Sequence, residues 1–305
     1  MPHGRAAPRR TLARTASCRG VSLFLGAPSS IVIKPRESVG GGGGIGFRRV
    51  DVAGSPEIAA LAANVAPENR RTVLATPGGA ASSGVQTVEH LMSALAGLGI
   101  TDALVEVSGP ELPIGDGSAL PFAQAIQEAG VRDLAAAGGQ QQPLIIREPI
   151  SIVDDKSGAK IEALPHDEPG LRMTYNLAYP PGAPIPPQSA TLFVPFGQPV
   201  DGYIKDVAPA RTFSLQQEAE MARAMGLFKH LSPKDMLVIG AQGPIDNAYR
   251  FDNEPARHKL LDALGDLALS GLLARGIQAH VVCTRTGHAQ NHAMAKALAA
   301  LAAAG

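Results

Sequence analysis

Apolar residues recur at helical spacing in residues 255–270, PARHKLLDALGDLALS, and predict an amphipathic helix there. Its apolar side consists of leucine and alanine: Leu260, Leu264, Leu267 and Ala268. Its polar side spans about 80° and holds an imidazole and two carboxylates: His258, Asp262 and Asp266. Asn253 and Pro255 are typical of a helix start, as a cap and a first-turn proline. His258 and Asp262 are one turn apart and can bind one ion, although this spacing alone is more often a solvated face or a local pair.

A second helix is predicted over residues 87–98, TVEHLMSALAGL, with Thr87 as its cap. One face is apolar: Val88, Leu91, Met92, Leu95 and Leu98. His90 lies nearly opposite, beside a strip of small residues that would let another element approach closely: Ser93, Ala94 and Gly97. Glu89 precedes His90 in the first turn. A solvated helix start is the alternative interpretation of this Glu-His pair, and the small-residue strip favours a packed cleft instead.

Elsewhere in the chain, short apolar or alternating runs predict strands. They cover residues 21–25, 31–33, 47–52, 71–75, 102–108, 144–153, 159–163, 171–179, 190–195, 236–239 and 278–285. A short helix or turn is predicted at residues 55–64, helical stretches are predicted at 118–126 and 215–225, and a terminal helix begins near Gln290. Five glycines at residues 40–44 stand between two predicted strands. A phosphate-binding loop needs a helix immediately after it, so these glycines predict a flexible hairpin loop.

The chain divides at a Gly- and Gln-rich stretch, residues 135–142. We expect a disordered tail over residues 1–8, a first α+β domain over 9–138 and a second over 139–305. The two segments HLMSALAGLGI and HKLLDALGDLAL each set a histidine before a helix, and a strand follows each helix. This internal echo predicts two similar α/β layers.

Composition excludes several classes of protein. Among 305 residues, 27 Lys and Arg balance 27 Asp and Glu. A nucleic-acid-binding protein would carry a basic excess, so nucleic acid is not an expected partner. No apolar run approaches the length of a membrane span. The two cysteines, Cys18 and Cys283, lie far apart and outside metal-ligand spacing, which indicates a reducing compartment.

Residues from two distant stretches form a set suited to a metal. His90, His258 and Asp262 supply two imidazoles and a carboxylate, the donors of a catalytic zinc whose fourth position is open to water. Glu89 precedes one of these residues and can take a proton from that water, and His288, in a predicted turn, can deliver one to a leaving group. Their meeting in space is a prediction about the fold.

Five segments occur in a fixed order: TVEHLMSALAGLGI, ELPIGDGSALPF, ARTF, RFDNEPARHKLLDALGDL and GHAQN. From about residue 10 to the C-terminus, the chain resembles the UDP-3-O-acyl-N-acetylglucosamine deacetylases, the zinc amidases of lipid A biosynthesis. The resemblance implies an α+β fold of two similar domains, each a β-sheet layer with helices, packed helix to helix as a β-α-α-β sandwich with the site between them.

The resemblance also implies a role for each candidate residue. It places the zinc ligands at His90, His258 and Asp262, the general base at Glu89 and the protonating histidine at His288. Zinc and the base would activate water to attack the acetamide carbonyl, and the histidine would protonate the departing amine.

Four further positions match the family's motifs. Asp266 would orient the protonating histidine, and Thr212 would help to bind the oxyanion. Phe213 would stack near the glucosamine, and Lys259 would lie near the diphosphate.

Two segments depart from the family pattern. Residues 20–26 read GVSLFLG, with Phe24 where the family commonly has histidine, and residues 227–240 replace a glycine-rich segment. These departures leave open two alternatives: a non-catalytic nucleotide-sugar or lipid-binding module on the same fold, and a zinc amidase acting on another acylated amine. The favoured interpretation is a cytoplasmic, monomeric enzyme with Zn²⁺ as cofactor and a UDP-linked acylated glucosamine as substrate, in transient contact with a membrane surface.

Overall fold

The computed structural model describes residues 8–37, 43–135, 142–196, 198–233 and 235–304. Its α-helices are α1 (Glu89–Gly97), α2 (Leu120–Ala129), α3 (Gln216–Ala224), α4 (Glu254–Ala268) and α5 (His288–Ala304). Short 3₁₀ turns lie at Ala62–Asn64 and Ala81–Ser83, and a π-helical turn lies at Tyr203–Val207. Within these described ranges, every helix is too short or too polar to cross a bilayer.

The first half of the chain builds a five-stranded sheet and two small sheets. Its strands are β1 (Arg10–Leu12), β2 (Ala16–Val21), β3 (Pro28–Pro35), β4 (Ile45–Arg49), β5 (Ile58–Ala59), β6 (Val65–Ala66), β7 (Val73–Leu74), β8 (Val85–Gln86), β9 (Ala103–Val107) and β10 (Val131–Asp133). The large sheet has the order β2-β3-β9-β4-β5, in which β9 is antiparallel to β3 and parallel to β4.

The second half builds a six-stranded sheet and one small sheet. Its strands are β11 (Leu144–Ile145), β12 (Ile150–Asp154), β13 (Ala159–Leu164), β14 (Gly170–Leu177), β15 (Gln188–Pro195), β16 (Phe213–Leu215), β17 (Leu237–Gly240), β18 (Gly243–Pro244) and β19 (Ile277–Thr284). The large sheet has the order β12-β13-β19-β14-β15, and β11 also pairs with β19. Strand β19 is antiparallel to β13 and parallel to β14.

The two large sheets therefore share one topology. In each, the central strand follows a helix, α1 before β9 and α4 before β19. It runs parallel to a strand from an earlier part of the same half, β4 for β9 and β14 for β19. Such a parallel connection needs a crossover that covers one face of the sheet, which is where the helix lies. The repeat that the sequence echo predicts is confirmed, as is the α+β class.

Helices α1 and α4 pack against each other, and α4 also packs on β14 and β15. All nine residues of α1 are buried, and so are the three residues of the predicted polar side of α4: His258, Asp262 and Asp266. Close approach depends on glycine, because a Cβ at Gly265 would overlap the backbone carbonyl of Glu89, and one at Gly97 would stand 2.5 Å from the Tyr203 ring. A solvated polar face is thereby excluded for both helices.

Several local predictions are wrong. Strands β3 and β4 do not form a hairpin, because β9 lies between them. Of the glycines predicted to form the hairpin loop, those at 40–42 lie outside the described residues. The predicted strand at 144–153 is two strands with different partners: β11 pairs with β19 in parallel, and β12 pairs with β13 in antiparallel. Of the helix or turn predicted at 55–64, residues 58–59 form strand β5 and residues 62–64 form a 3₁₀ turn. The terminal helix begins at His288, slightly before the predicted start near Gln290.

Of the two predicted helix caps, Thr87 is wrong, whereas Asn253 does stand at the N-cap position of α4 but makes no side-chain capping bond. The Thr87 hydroxyl donates to Glu111 at 2.9 Å instead of accepting from α1, and Thr87 has a φ of 59°. Asn253 donates to the Ser189 carbonyl and accepts from Arg257, again without a capping bond. In both cases the side chain bonds to another part of the fold.

The predicted tail at 1–8 lies outside the described residues except for Pro8, and the predicted boundary at 138/139 lies outside them entirely. The division into domains 9–138 and 139–305 stays a prediction.

Candidate functional site

Three side chains predicted to bind metal converge between α1 and α4. Asp262 Oδ1 lies 3.5 Å from His90 Nε2 and 3.4 Å from His258 Nε2. The two imidazoles stand nearly perpendicular, at 89°, with their centroids 5.0 Å apart. His90 is supplied by α1, and the other two residues by successive turns of α4. The packing of these helices therefore brings the set together.

The segment before β16 fixes the orientation of His258. The Nδ1 atom of His258 lies 3.1 Å from the carbonyl oxygen of Ala210, so Nδ1–H donates to that carbonyl and the lone pair of Nε2 faces Asp262. Burial lowers the pKa of His258 to about 3, so the ring is neutral at physiological pH. A neutral imidazole with a directed lone pair is the form that coordinates a metal.

Arg211, next in sequence, anchors this segment to the first turn of α4. Its side chain donates to Glu254 through Nε at 2.8 Å and through a terminal nitrogen at 3.0 Å, and its backbone N–H also donates to that carboxylate. Both residues are buried. This bidentate pair satisfies two buried charges and places Thr212 and Phe213 beside His258.

The donor atoms fit a zinc ion. In a tetrahedral site with bonds of about 2.0–2.1 Å, neighbouring ligand atoms lie about 3.3 Å apart, close to the two separations at Asp262 Oδ1. This buried Oδ1 has no hydrogen-bond partner among the described residues, whereas Oδ2 accepts from Lys259 at 2.8 Å. Burial opposes ionisation of Asp262, but the ammonium of Lys259, 2.8 Å from Oδ2, holds its pKa well below the usual range. An ionised oxygen without a partner is suited to a cation.

A second group of side chains could also bind a metal: Asp266, His288 and His292. Unlike Asp262, its carboxylate has no oxygen without a hydrogen-bond partner. Both carboxylate oxygens of Asp266 already accept hydrogen bonds. Oδ2 accepts from His288 Nδ1 at 2.8 Å and from Asn291 at 3.0 Å, and Oδ1 accepts from Thr72 at 2.6 Å and from His292 at 3.2 Å. This carboxylate is saturated by donors, so the group orients side chains rather than binding an ion.

The pairing with Asp266 sets the charge of His288. Burial would lower the pKa of this ring, but the charge of Asp266 and its hydrogen bond raise it to about 9. Nδ1 carries the hydrogen donated to Asp266, and at neutral pH Nε2 is protonated too. His288 is therefore a cation whose Nε2–H group can donate a proton.

Glu89 has the opposite tendency. Burial raises the pKa of its carboxyl group above the usual value, and the nearby charge of His288 opposes this rise. The Glu89 Oε2 atom accepts from the backbone N–H of Thr72 at 3.1 Å. A carboxylate with a raised pKa is a stronger base, as general base catalysis requires.

A cavity of about 450 Å³ opens beside these groups, and His288 lines it. Thr212, Phe213 and Lys259 also line it, so all three predicted substrate contacts face the same space. The Phe213 ring stands 6.2 Å from the His258 ring, and Lys259 Nζ lies 5.9 Å from the Phe213 centroid. Further cations occur at the wall of the cavity: Arg70, Arg223 and Arg285.

The other end of the cavity is apolar and is built by the two segments that depart from the family pattern. Phe24 packs on Phe228 with ring centroids 5.3 Å apart, and the guanidinium of Arg71 lies 4.3 Å above the Phe24 ring. Leu231 and Met236 complete this end. We call these residues the apolar end of the cavity.

Sequence reasoning missed three residues of the site: Thr72, Asn291 and His292. His292 carries a usable signal, because it follows His288 by one helical turn and so shares a face with it. Thr72 has none, since a threonine in a short strand-like run is ordinary.

The profile of the UDP-3-O-acyl N-acetylglycosamine deacetylase family matches residues 9–300. A relative named UDP-3-O-acyl-N-acetylglucosamine deacetylase, from Citrifermentans bemidjiense, is 38% identical over 285 residues, which cover 93% of this chain and 86% of the relative. Proteins of the same name from Myxococcus xanthus and a Nostoc species are 38% and 36% identical, over 94% and 96% of this chain and 85% and 99% of their own. The similarity spans both large sheets and the whole site.

Proposed function

The chain belongs to the UDP-3-O-acyl-N-acetylglucosamine deacetylase family, and we propose that the cleft between α1 and α4 is its zinc-dependent active site. The reaction is hydrolysis of the substrate's acetamide, which yields acetate and a free amine, in lipid A biosynthesis. The observation that carries this proposal is the convergence of His90, His258 and Asp262 in the cleft that also holds Glu89 and the Asp266–His288 pair.

His90, His258 and Asp262 would hold the zinc, and the partnerless Oδ1 of Asp262 supports this assignment. When bound, zinc supplies Lewis-acid polarisation of the carbonyl and a lowered pKa for the attacking water. A donor set of two imidazoles and one carboxylate would leave coordination positions open for the substrate carbonyl and the water.

Glu89 takes the proton from the attacking water. The backbone N–H of Thr72 holds Oε2 in place, and burial raises the carboxyl pKa so that proton transfer to it becomes more favourable. The hydroxyl of Thr212, a residue that lines the cavity, donates to the developing oxyanion.

His288 delivers a proton from Nε2 to the departing amine. Asp266 keeps Nδ1–H occupied, so the ring has a fixed orientation, and it stabilises the cationic form from which the proton leaves. After turnover, the proton taken up by Glu89 can return to His288 through solvent.

The cavity accounts for the rest of the substrate. Phe213 offers its ring to the sugar, and Lys259 and the arginines of the wall attract the diphosphate. The apolar end of the cavity, formed by Phe24 and Phe228 with their neighbours, receives the acyl chain. Both cysteines are unpaired, which supports a cytoplasmic location for the enzyme.

The test is acetate release from UDP-3-O-acyl-N-acetylglucosamine by the zinc-loaded protein, compared with Glu89→Gln. We expect Glu89→Gln to retain zinc and lose about 10²–10⁴-fold in turnover, the usual worth of a general base. Glu106→Gln is the matched control, because Glu106 lies in β9 and pairs with Lys34 rather than lining the cavity. It should keep wild-type turnover. Wild-type turnover in Glu89→Gln, or loss of its zinc, would show that Glu89 has another role.

A further inference from the structure

Thr72 contacts both proton-transfer groups at once. It is completely buried directly before β7, in the first half of the chain. Its backbone N–H donates to Glu89 Oε2 at 3.1 Å, and its hydroxyl lies 2.6 Å from Asp266 Oδ1. One residue therefore touches the carboxylate proposed as base and the carboxylate that orients His288.

The hydroxyl has only one hydrogen, and the surrounding atoms decide where it points. Asp266 Oδ1 can only accept, so the Thr72 hydroxyl donates to it. His292 Nε2 lies 2.9 Å from the Thr72 oxygen and 3.2 Å from Asp266 Oδ1. A lone pair on that nitrogen would face two oxygens, so Nε2 carries a hydrogen, which it shares between the Thr72 oxygen and, at the longer distance, Asp266 Oδ1.

The carbonyl of Thr72 completes the connection. It accepts from the backbone N–H of Thr87 at 2.9 Å and more weakly from that of Val88 at 3.4 Å, directly before α1. These are the residues that lead into Glu89 and His90. The backbone of Thr72 thus fixes the start of α1, while its hydroxyl reaches across to α4 and α5.

We propose that Thr72, supported by His292, is a positioning residue that sets the placement of Glu89 relative to His288. The placement matters because proton transfer on the two sides of the amide requires each group within hydrogen-bond reach of its atom. This inference rests on the proposed function, since it assigns Thr72 a part in that reaction. Thr72 itself touches no reacting atom.

The variant Thr72→Val removes the hydroxyl and keeps nearly the same shape and the backbone N–H group. We expect it to keep its zinc and its KM and to lose about 10–100-fold in kcat, the usual cost of removing a partner that orients a site residue. Thr72→Ser restores the hydroxyl and should restore most of kcat. Thr101→Val is the matched control, because Thr101 is also buried and donates to a carboxylate, Asp102, away from the cavity; its kcat should stay at the wild-type value.

His292→Phe tests the same network without altering Thr72, and serves if Thr72→Val does not fold. It should lower kcat in the same direction, and the double variant with Thr72→Val should lose less than the product of the two single losses, because both act on Asp266. Wild-type kcat in Thr72→Val, or a Thr72→Ser as slow as Thr72→Val, would overturn the proposal.

Ring-nitrogen NMR of the histidines separates this inference from the proposed function. In the wild type, His292 should show a hydrogen on Nε2, and Thr72→Val should change that signal and the signal of His288. If the wild type releases no acetate but these signals change as expected, the deacetylase assignment fails while the network stands. Unchanged signals in Thr72→Val would refute the network whatever the activity.

Discussion

Gly265 of α4 lies directly against the backbone carbonyl of Glu89 in α1, with no room between them for a methyl group. The contact sets the separation of the two helices at the level of the site. Since His90 is on one helix and His258 and Asp262 are on the other, the same contact sets how closely the three donor atoms approach.

Gly265→Ala should therefore damage both stability and the site. The new methyl group meets backbone atoms of α1, which cannot rotate away, so we expect about 1–3 kcal/mol of destabilisation and weaker zinc binding. Urea unfolding and zinc titration measure the two effects. Gly109→Ala, where a Cβ meets nothing, should leave both unchanged, and equal behaviour of the two variants would show that the helices are not held by this contact.

The pH dependence of turnover should reveal the Asp266–His288 pair. His288 must be protonated to donate, and Asp266 raises its pKa to about 9, so turnover should fall as the pH rises through about 9. Asp266→Asn removes the charge that raises this pKa, so the alkaline fall should move to lower pH and kcat should drop. Asp133→Asn, at an exposed carboxylate, should keep the wild-type profile. An unshifted alkaline fall in Asp266→Asn would mean that another group titrates there.

The sequence predicts which residue types form the site better than it predicts how the fold brings them together. The spacing of His258 and Asp262 places them on one face of α4, and only the family resemblance joined them to His90, because pairing between distant helices leaves no local pattern. The predicted pairing of β3 with β4 was wrong for a related reason. These strands are adjacent in sequence, but β9, which comes much later in the chain, lies between them in the sheet. Thr87 and Asn253 were predicted as caps because local rules favour them, and tertiary partners used their side chains instead.

Removing one partner of the Arg211–Glu254 pair should be costly. Arg211→Met leaves a carboxylate buried without its counter-charge, and we expect about 3–5 kcal/mol of destabilisation. Lys34→Met removes a half-exposed ion pair with Glu106 and should cost less than about 1 kcal/mol. Urea unfolding of both variants checks this. A similar small loss for Arg211→Met would indicate that the segment before Thr212 is held by other contacts.

Phe24 should affect the acyl chain and not the chemistry. Phe24→Ala removes one wall of the apolar end of the cavity and the ring beneath Arg71, so we expect kcat/KM for a long-chain substrate to fall about tenfold. Phe24→Leu keeps an apolar side chain and should lose less. A substrate with a short acyl chain should be processed equally by all three proteins, and an equal loss on that substrate would place Phe24 outside the acyl site.

The measurement that tests the central claim most directly is X-ray absorption at the zinc edge of the purified, zinc-loaded protein. We predict one zinc ion bound by nitrogen and oxygen atoms at about 2.0–2.1 Å, with the scattering of two imidazole rings from His90 and His258. A sulfur neighbour at about 2.3 Å, which could come only from Cys18 or Cys283, or a zinc with no imidazole ligand, would contradict the site described above.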